Sequence, residues 1–261
     1  MSSNYWKDRM AATQETISAK KRKEIDKQIK KYYEKTMQNL ISEFEHTYDK
    51  VMLQETMGMT PSPALLYKLD NYWKLQGQIK QEMQKLGDKQ IALLSKYFET
   101  EFFEVYYSIA LPSQKGFSTL SSEMVEQMIN QIWAADGVSW SARVWKNTEK
   151  LAETLNEELI HCVATGKKTT QLKDALIQRF NVSYSQADTL ARTELAHIQT
   201  TAAQKRYKDS GITKVQLWAD ADERRCPKCG KLHKKIYNIN EQMPVPVHPR
   251  CRCVMIPVIE D

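Results

Sequence analysis

The sequence predicts a mainly α-helical N-terminal region followed by a small C-terminal α+β domain with a cysteine-rich loop. Three observations carry that prediction. Gly and Pro are scarce, eight of each in 261 residues, which is few for an all-β protein. Long stretches repeat apolar residues at helical spacing. Four of the five cysteines crowd into residues 226–253, among three short strand-like segments. The boundary is placed at 164/165, giving a helical domain over 1–164 and an α+β domain over 165–261.

Residues 1–60 read as one or two long helices. Leu40, Ile41, Phe44, Tyr48, Val51 and Met52 share one face. The run KKRKE at 20–24 reads as the solvated side of that helix, since acidic residues interleave with the lysines. GMTPSPA at 58–64 is a break. A helix over about 63–86 ends at LGDK, and the aromatic-rich stretch after it is core packing. Met124, Val125, Met128, Ile129, Ile132 and Trp133 form the stripe of a further helix ended by ADGVS, and Val144, Thr148, Leu151, Leu155 and Leu159 mark the next. From 169 a short helix, TTQLKDALIQRFN, precedes a long one capped by Ser185 with Asp188 and stopped by Gly211. Glu194 falls beside or within the apolar stripe of that helix, with Arg192 and His197 as local partners, and a structural carboxylate is the favoured reading. TKVQLWAD, KKIYNI and CVMIPV are the three strands.

Composition excludes some classes. No apolar run approaches the roughly 18–20 residues of a membrane helix, and the N-terminus lacks the apolar core of a signal peptide. An intracellular origin follows, where clustered cysteines hold metal more often than disulfides. The net charge is +6. Residues 101–160 carry 4 Lys/Arg against 9 Asp/Glu, whereas residues 201–261 carry 12 against 7. Gly-Lys-Lys-Thr at 166–169 lacks the earlier glycine and the strand of a phosphate-binding loop.

Cys226 and Cys229 form a C-x2-C knuckle, one half of a tetrahedral zinc site. His248 and Cys251 supply the other half, a Cys3His set. Cys253 is the substitute ligand and His233 a competing one. Cys251 and Cys253 alternate in extended chain, so both reach one ion only through a turn. Two alternatives stand beside Zn2+: reduced or redox-variable thiols, and a disulfide from Cys226 or Cys229 to Cys251. Cys162 is read as core. A catalytic zinc needs an open position and a base, and no His-x-Glu precedes Cys226. The site is therefore expected to be structural, and the chain is expected not to be an enzyme.

In order, Arg192-Thr193-Glu194 on a long helix, Gly211, a strand bearing Trp218, Asp222 ahead of the knuckle and HPRCRC at 248–253 resemble the C-terminal domain of phage Mu F-like minor head proteins. The likeness covers about 165–258. The family often has Asp-Gly after the knuckle, where this chain has His233-Lys234. Some relatives carry toxin or ADP-ribosyltransferase domains beyond this module; with eight residues after Cys253, none is expected here. The resemblance implies a head morphogenesis protein of a tailed phage or prophage. It would be made in host cytoplasm, lie inside the virion head, and bind the portal protein through the helical region. Capsid or scaffold protein and packaged DNA are further partners, with no membrane required. Sequence-nonspecific phosphate contact would fall to Arg224, Arg225, Lys228, Lys231, Lys234, Lys235, Arg250 and Arg252. The rival reading is a zinc-ribbon nucleic-acid-binding protein.

Overall fold

A computed structural model describes residues 3–56, 70–111, 117–165, 169–219 and 226–259. The predicted class holds: long helices dominate, with a three-stranded antiparallel sheet near the C-terminus. The helices are α1 (Ser3–Thr56), α2 (Asp70–Ser108), α3 (Ser122–Ile129), α4 (Trp140–Thr165), α5 (Thr169–Asp209) and α6 (Pro227–Leu232). The strands are β1 (Lys214–Trp218), β2 (Ile236–Asn238) and β3 (Val254–Pro257). Among the described residues no helix is long and apolar enough to cross a membrane.

The chain forms two compact units. One contains Asp26–Ala92 and Ser141–Asp188, and its core is built from helical stripes three and four residues apart. Ile29, Tyr33, Leu40 and Phe44 come from α1, Leu75, Ile79, Met83 and Leu86 from α2, Leu151, Leu155 and Leu159 from α4, and Leu172, Leu176 and Phe180 from α5; all are buried. The predicted α4 stripe is buried throughout, and Cys162 is core. Tyr48, Val51, Met52 and the GMTPSPA break lie outside the residues whose side chains or fold are described.

Two predicted breaks in this unit do not occur. Helix α2 runs through LGDK because Gly87 is a packing glycine: a Cβ there would lie 2.3 Å from the Trp145 ring. Helix α5 runs through 182–185 without a cap. Ser183 faces inward against the Tyr33 hydroxyl at 3.3 Å, and Tyr184 donates to Asp26. These tertiary partners override the local capping signal at Ser185 and Asp188.

The other unit contains Met1–Ile25, Leu93–Trp140 and Thr189–Asp261. Phe98, Phe102, Val105 and Tyr106 of α2 and Leu195, Ile198, Ala202 and Tyr207 of α5 are buried in it. The KKRKE run is not wholly solvated: Lys21 is buried and pairs with Glu101 at 3.0 Å and with Glu104 at 2.6 Å. Such a buried charge persists only because it is paired. Helix α3 is shorter than its sequence stripe and stops at Ile129, leaving Ile132 exposed while Trp133 turns to a different partner.

Gly211 stops α5 as predicted, at φ +78. The amide of Ile212 donates to the Tyr207 carbonyl and that of Gly211 to Lys208, the two bonds of a Schellman end. The chain then enters β1, the central strand in the order β2-β1-β3. Val215 faces Tyr237 on one side, and Gln216 faces Ile256 on the other. The Tyr207 hydroxyl donates to the Met255 carbonyl at 3.1 Å and fastens β3 to α5.

Candidate metal centre

The cysteine loops hang from this sheet and helix. Cys226 takes the N-cap of α6 in extended conformation, and its Sγ accepts from the Cys229 amide at 3.3 Å. Pro227 follows at the first helical position, where a missing amide proton costs nothing. One turn later Cys229 points inward, 3% exposed. Lys234, at φ 68, reverses the chain, its amide donating to Leu217 at 2.8 Å before β2 begins.

The second loop is anchored on α5. Gln204 Nε2 donates to the Ile239 carbonyl at 2.6 Å, and Gln242 Nε2 to that of Trp133 at 3.0 Å. Arg250 sits at φ 59 in a turn closed by the Cys251 amide on the His248 carbonyl. Its own amide donates to Thr193 Oγ1 at 3.1 Å, and its Nε donates to Thr189 Oγ1 at 3.0 Å. The turn sets His248 and Cys251 opposite the knuckle.

Two overlapping groups of potential donors result. Cys226, Cys229 and His248 have donor atoms within 4.8 Å of one another, and so do Cys229, Cys251 and Cys253. Cys229 belongs to both. Its Sγ lies 3.2 Å from His248 Nε2 and 4.0 Å from Cys251 Sγ. A tetrahedral zinc ion at ordinary bond lengths implies edges of roughly 3.6 Å for sulfur to nitrogen and roughly 3.8 Å for sulfur to sulfur. The donor types and spacing therefore fit a small thiophilic cation, and the cluster can hold a metal.

Without a cation the thiols share protons unevenly. Burial, and then the contact with Cys226, push the Cys229 thiol up to about 12. The hydrogen bond with Cys251, reinforced by burial, raises Cys253. The bond from Cys253 in turn lowers Cys251 to about 5, against the effect of burial. The backbone hydrogen bond from Cys229 lowers Cys226, and the Pro249 carbonyl raises His248. A bound divalent ion replaces such protons and lets several thiolates coexist.

Other sequence-selected residues lie apart from the cluster. His233 Nδ1 accepts from the Ala219 amide at 3.2 Å, and its ring rests on Trp218, 4.5 Å between centroids. Neither donor group contains it. Lys228, Lys231, Lys234, Lys235 and Arg250 are exposed and Arg252 half-buried. Asp222, Arg224 and Arg225 lie outside the described residues. Arg192 is half-buried on α5.

The Arg-Thr-Glu stretch has a role that sequence reasoning missed. Thr193 receives the Arg250 amide, and Glu194, 3% exposed, accepts from the Trp133 indole at 2.8 Å. The Trp133 ring stacks on His197 at 4.5 Å. Glu194 is therefore paired, with a tryptophan 61 positions away. Thr189, Trp133 and Gln242 complete this fastening. The one available signal was the indole of Trp133, a half-buried donor suited to an acceptor.

Residues 153–256 match the family model described as "Phage Mu protein F like protein". A curated relative, the "NAD(+)--arginine ADP-ribosyltransferase EFV" of Enterococcus faecalis, is 24% identical over 186 residues, covering 64% of this chain. The chain spans 38% of that relative's length. The expectation that the chain is not an enzyme is corrected by this finding, because a protein it resembles is named as one. The name itself stays with the relative. No solved structure matches the chain.

Proposed function

We propose that the chain is a minor head protein of a tailed phage or prophage, resident inside the virion head and active in head morphogenesis. The observation that carries this reading is the Mu F-like match over 153–256, which spans the knuckle and the His248–Cys253 turn. In this reading the helical residues 1–164 engage the portal, and residues 165–261 form the Mu F-like module. That division is one of roles along the sequence; the two compact units cut across it. Capsid or scaffold protein is the next partner during assembly.

The module is closed by one Zn2+ held by Cys226, Cys229, His248 and Cys251, a set drawn from both donor groups, in which Cys229 lies 3.2 Å from His248 and 4.0 Å from Cys251. The ion is structural: it ties α6 to the turn beneath α5. Lys228, Lys231, Lys234 and Lys235, exposed around α6 and β2, support contact with packaged DNA through phosphates, without reading sequence. The same basic surface supports the second reading, a zinc-ribbon nucleic-acid binder. Steep loss of DNA affinity with salt, together with absence of the chain from particles, would favour it.

Quantitative mass spectrometry of gradient-purified particles, with and without external protease, tests the main reading. A few protected copies per particle are expected. Absence from both particles and precursors would overturn it.

A further inference from the structure

The cluster offers five donors, one more than a tetrahedral ion takes. With Cys226, Cys229, His248 and Cys251 committed, Cys253 is left over. Its Sγ lies within 4.8 Å of those of Cys229 and Cys251, and the residue is 7% exposed. It is also held in place: the next residue, Val254, pairs with Trp218 in the sheet. A buried spare thiol against coordinated thiolates has a specific chemistry.

We propose that Cys253 is a resolving thiol, through which a peroxide seals Cys229 to Cys253 and expels the ion. The inference rests on the metal reading above. The Cys229 thiolate attacks one peroxide oxygen, the O–O bond breaks, hydroxide leaves, and a sulfenic acid remains. The Cys253 thiol then attacks that sulfur, and its proton departs with the sulfenic hydroxyl as water. Two electrons pass from the two sulfurs to the peroxide. The bridge consumes Cys229, the donor common to both groups, and leaves three ligands where four are needed.

Cys229 is the partner for a geometric reason. Cys251 and Cys253 lie close enough to share a hydrogen bond, but only one residue separates them, and a disulfide between such near neighbours is strained. Cys229 comes from α6, on a different segment, and meets no such limit. The consequence is a module cross-linked in either redox compartment: by the ion where thiols stay reduced, by a disulfide where they do not.

The test uses the full chain, native mass spectrometry and hydrogen peroxide. The reduced wild type is expected to carry one zinc ion. On oxidation it should lose that ion and two hydrogens, with the linked peptide joining Cys229 to Cys253. Thiol reductant and zinc should restore the starting mass. Cys253→Ala should still bind zinc, but its reversibly oxidised fraction should fall about tenfold in favour of irreversible sulfinic acid. A Cys253→Ala chain that bridges Cys229 to Cys251 at the wild-type rate would overturn the proposal. So would loss of zinc from Cys253→Ala while Cys251→Ala keeps it, since Cys253 would then be a ligand. Absence of zinc from the reduced wild type overturns the metal reading itself, and is read before any oxidant is added.

Discussion

The unit built from Asp26–Ala92 and Ser141–Asp188 and the sheet end of the other unit hold together by different means. The first is layered helix against helix, with Leu86, Leu155 and Leu159 fully buried and rings of Tyr33 and Phe180 meeting edge to face at 6.4 Å. The sheet end has strands of 5, 3 and 4 residues. Strands that short bury too little apolar surface to be stable alone. Side-chain fastenings supplement its small core of Val215, Leu217, Met255 and Ile256: the Tyr207 hydroxyl on Met255, and the Arg250 turn on Thr189 and Thr193, with the proposed cation at the donor cluster beside them. Apolar layers tolerate many single changes; a structure stapled at a few points does not.

The largest effect should follow removal of the shared donor. Cys229→Ala, or a strong chelator on the wild type, should abolish zinc binding and open residues 226–259 to protease, because ion binding is folding free energy for such a module. The far-ultraviolet helical signal should stay near wild type. Collapse of all helical signal would erase the contrast between the regions. Next in size is Gly87→Ala, which forces a Cβ to 2.3 Å from the Trp145 ring. Overpacking of this kind costs about 1–3 kcal/mol, only partly offset by the better helix propensity of alanine. Urea denaturation should report that loss at unchanged zinc stoichiometry.

His197 supplies a pH test. Burial against Trp133 lowers its pKa from 6.5 to about 4. Between those values the unfolded chain holds a proton that the folded chain refuses. Stability is therefore fully present above pH 6.5 and falls as pH drops toward 4, by on the order of 2 kcal/mol. His197→Gln should flatten that part of the stability–pH curve; an unaltered slope would assign it to other groups. The smallest change expected is Thr193→Val, which removes the acceptor for the Arg250 amide. A loss of about 1 kcal/mol is expected, with zinc released faster to a competing chelator. Unchanged release kinetics would mean that the turn holds itself.

Much of this contrast was legible in the sequence. The α4 stripe, the Gly211 stop and the three strands depend on short-range spacing, which a sequence displays directly, and of the proposed ligands Cys229 lies near both His248 and Cys251. What it hid are effects of distant partners. Gly87 looks like a helix breaker until Trp145 is seen to fill the space beside it. Ser185 looks like a cap until Ser183 and Tyr184 are seen to be engaged by α1. Lys21 sits in a basic run that reads as solvated, yet Glu101 draws it inward. Glu194 waited on Trp133, and Thr193 on Arg250, pairs separated by 61 and 57 positions. Enzyme chemistry was set aside on missing motifs, and a named enzyme among the relatives withdrew that exclusion.

Zinc K-edge X-ray absorption on the full chain, purified without an affinity histidine tag, tests the metal staple most directly. One zinc per chain is expected, with a shell of three sulfurs at about 2.3 Å and one nitrogen at about 2.0 Å, lost in Cys229→Ala. A chain free of zinc, or a shell of oxygen and nitrogen alone, would contradict it.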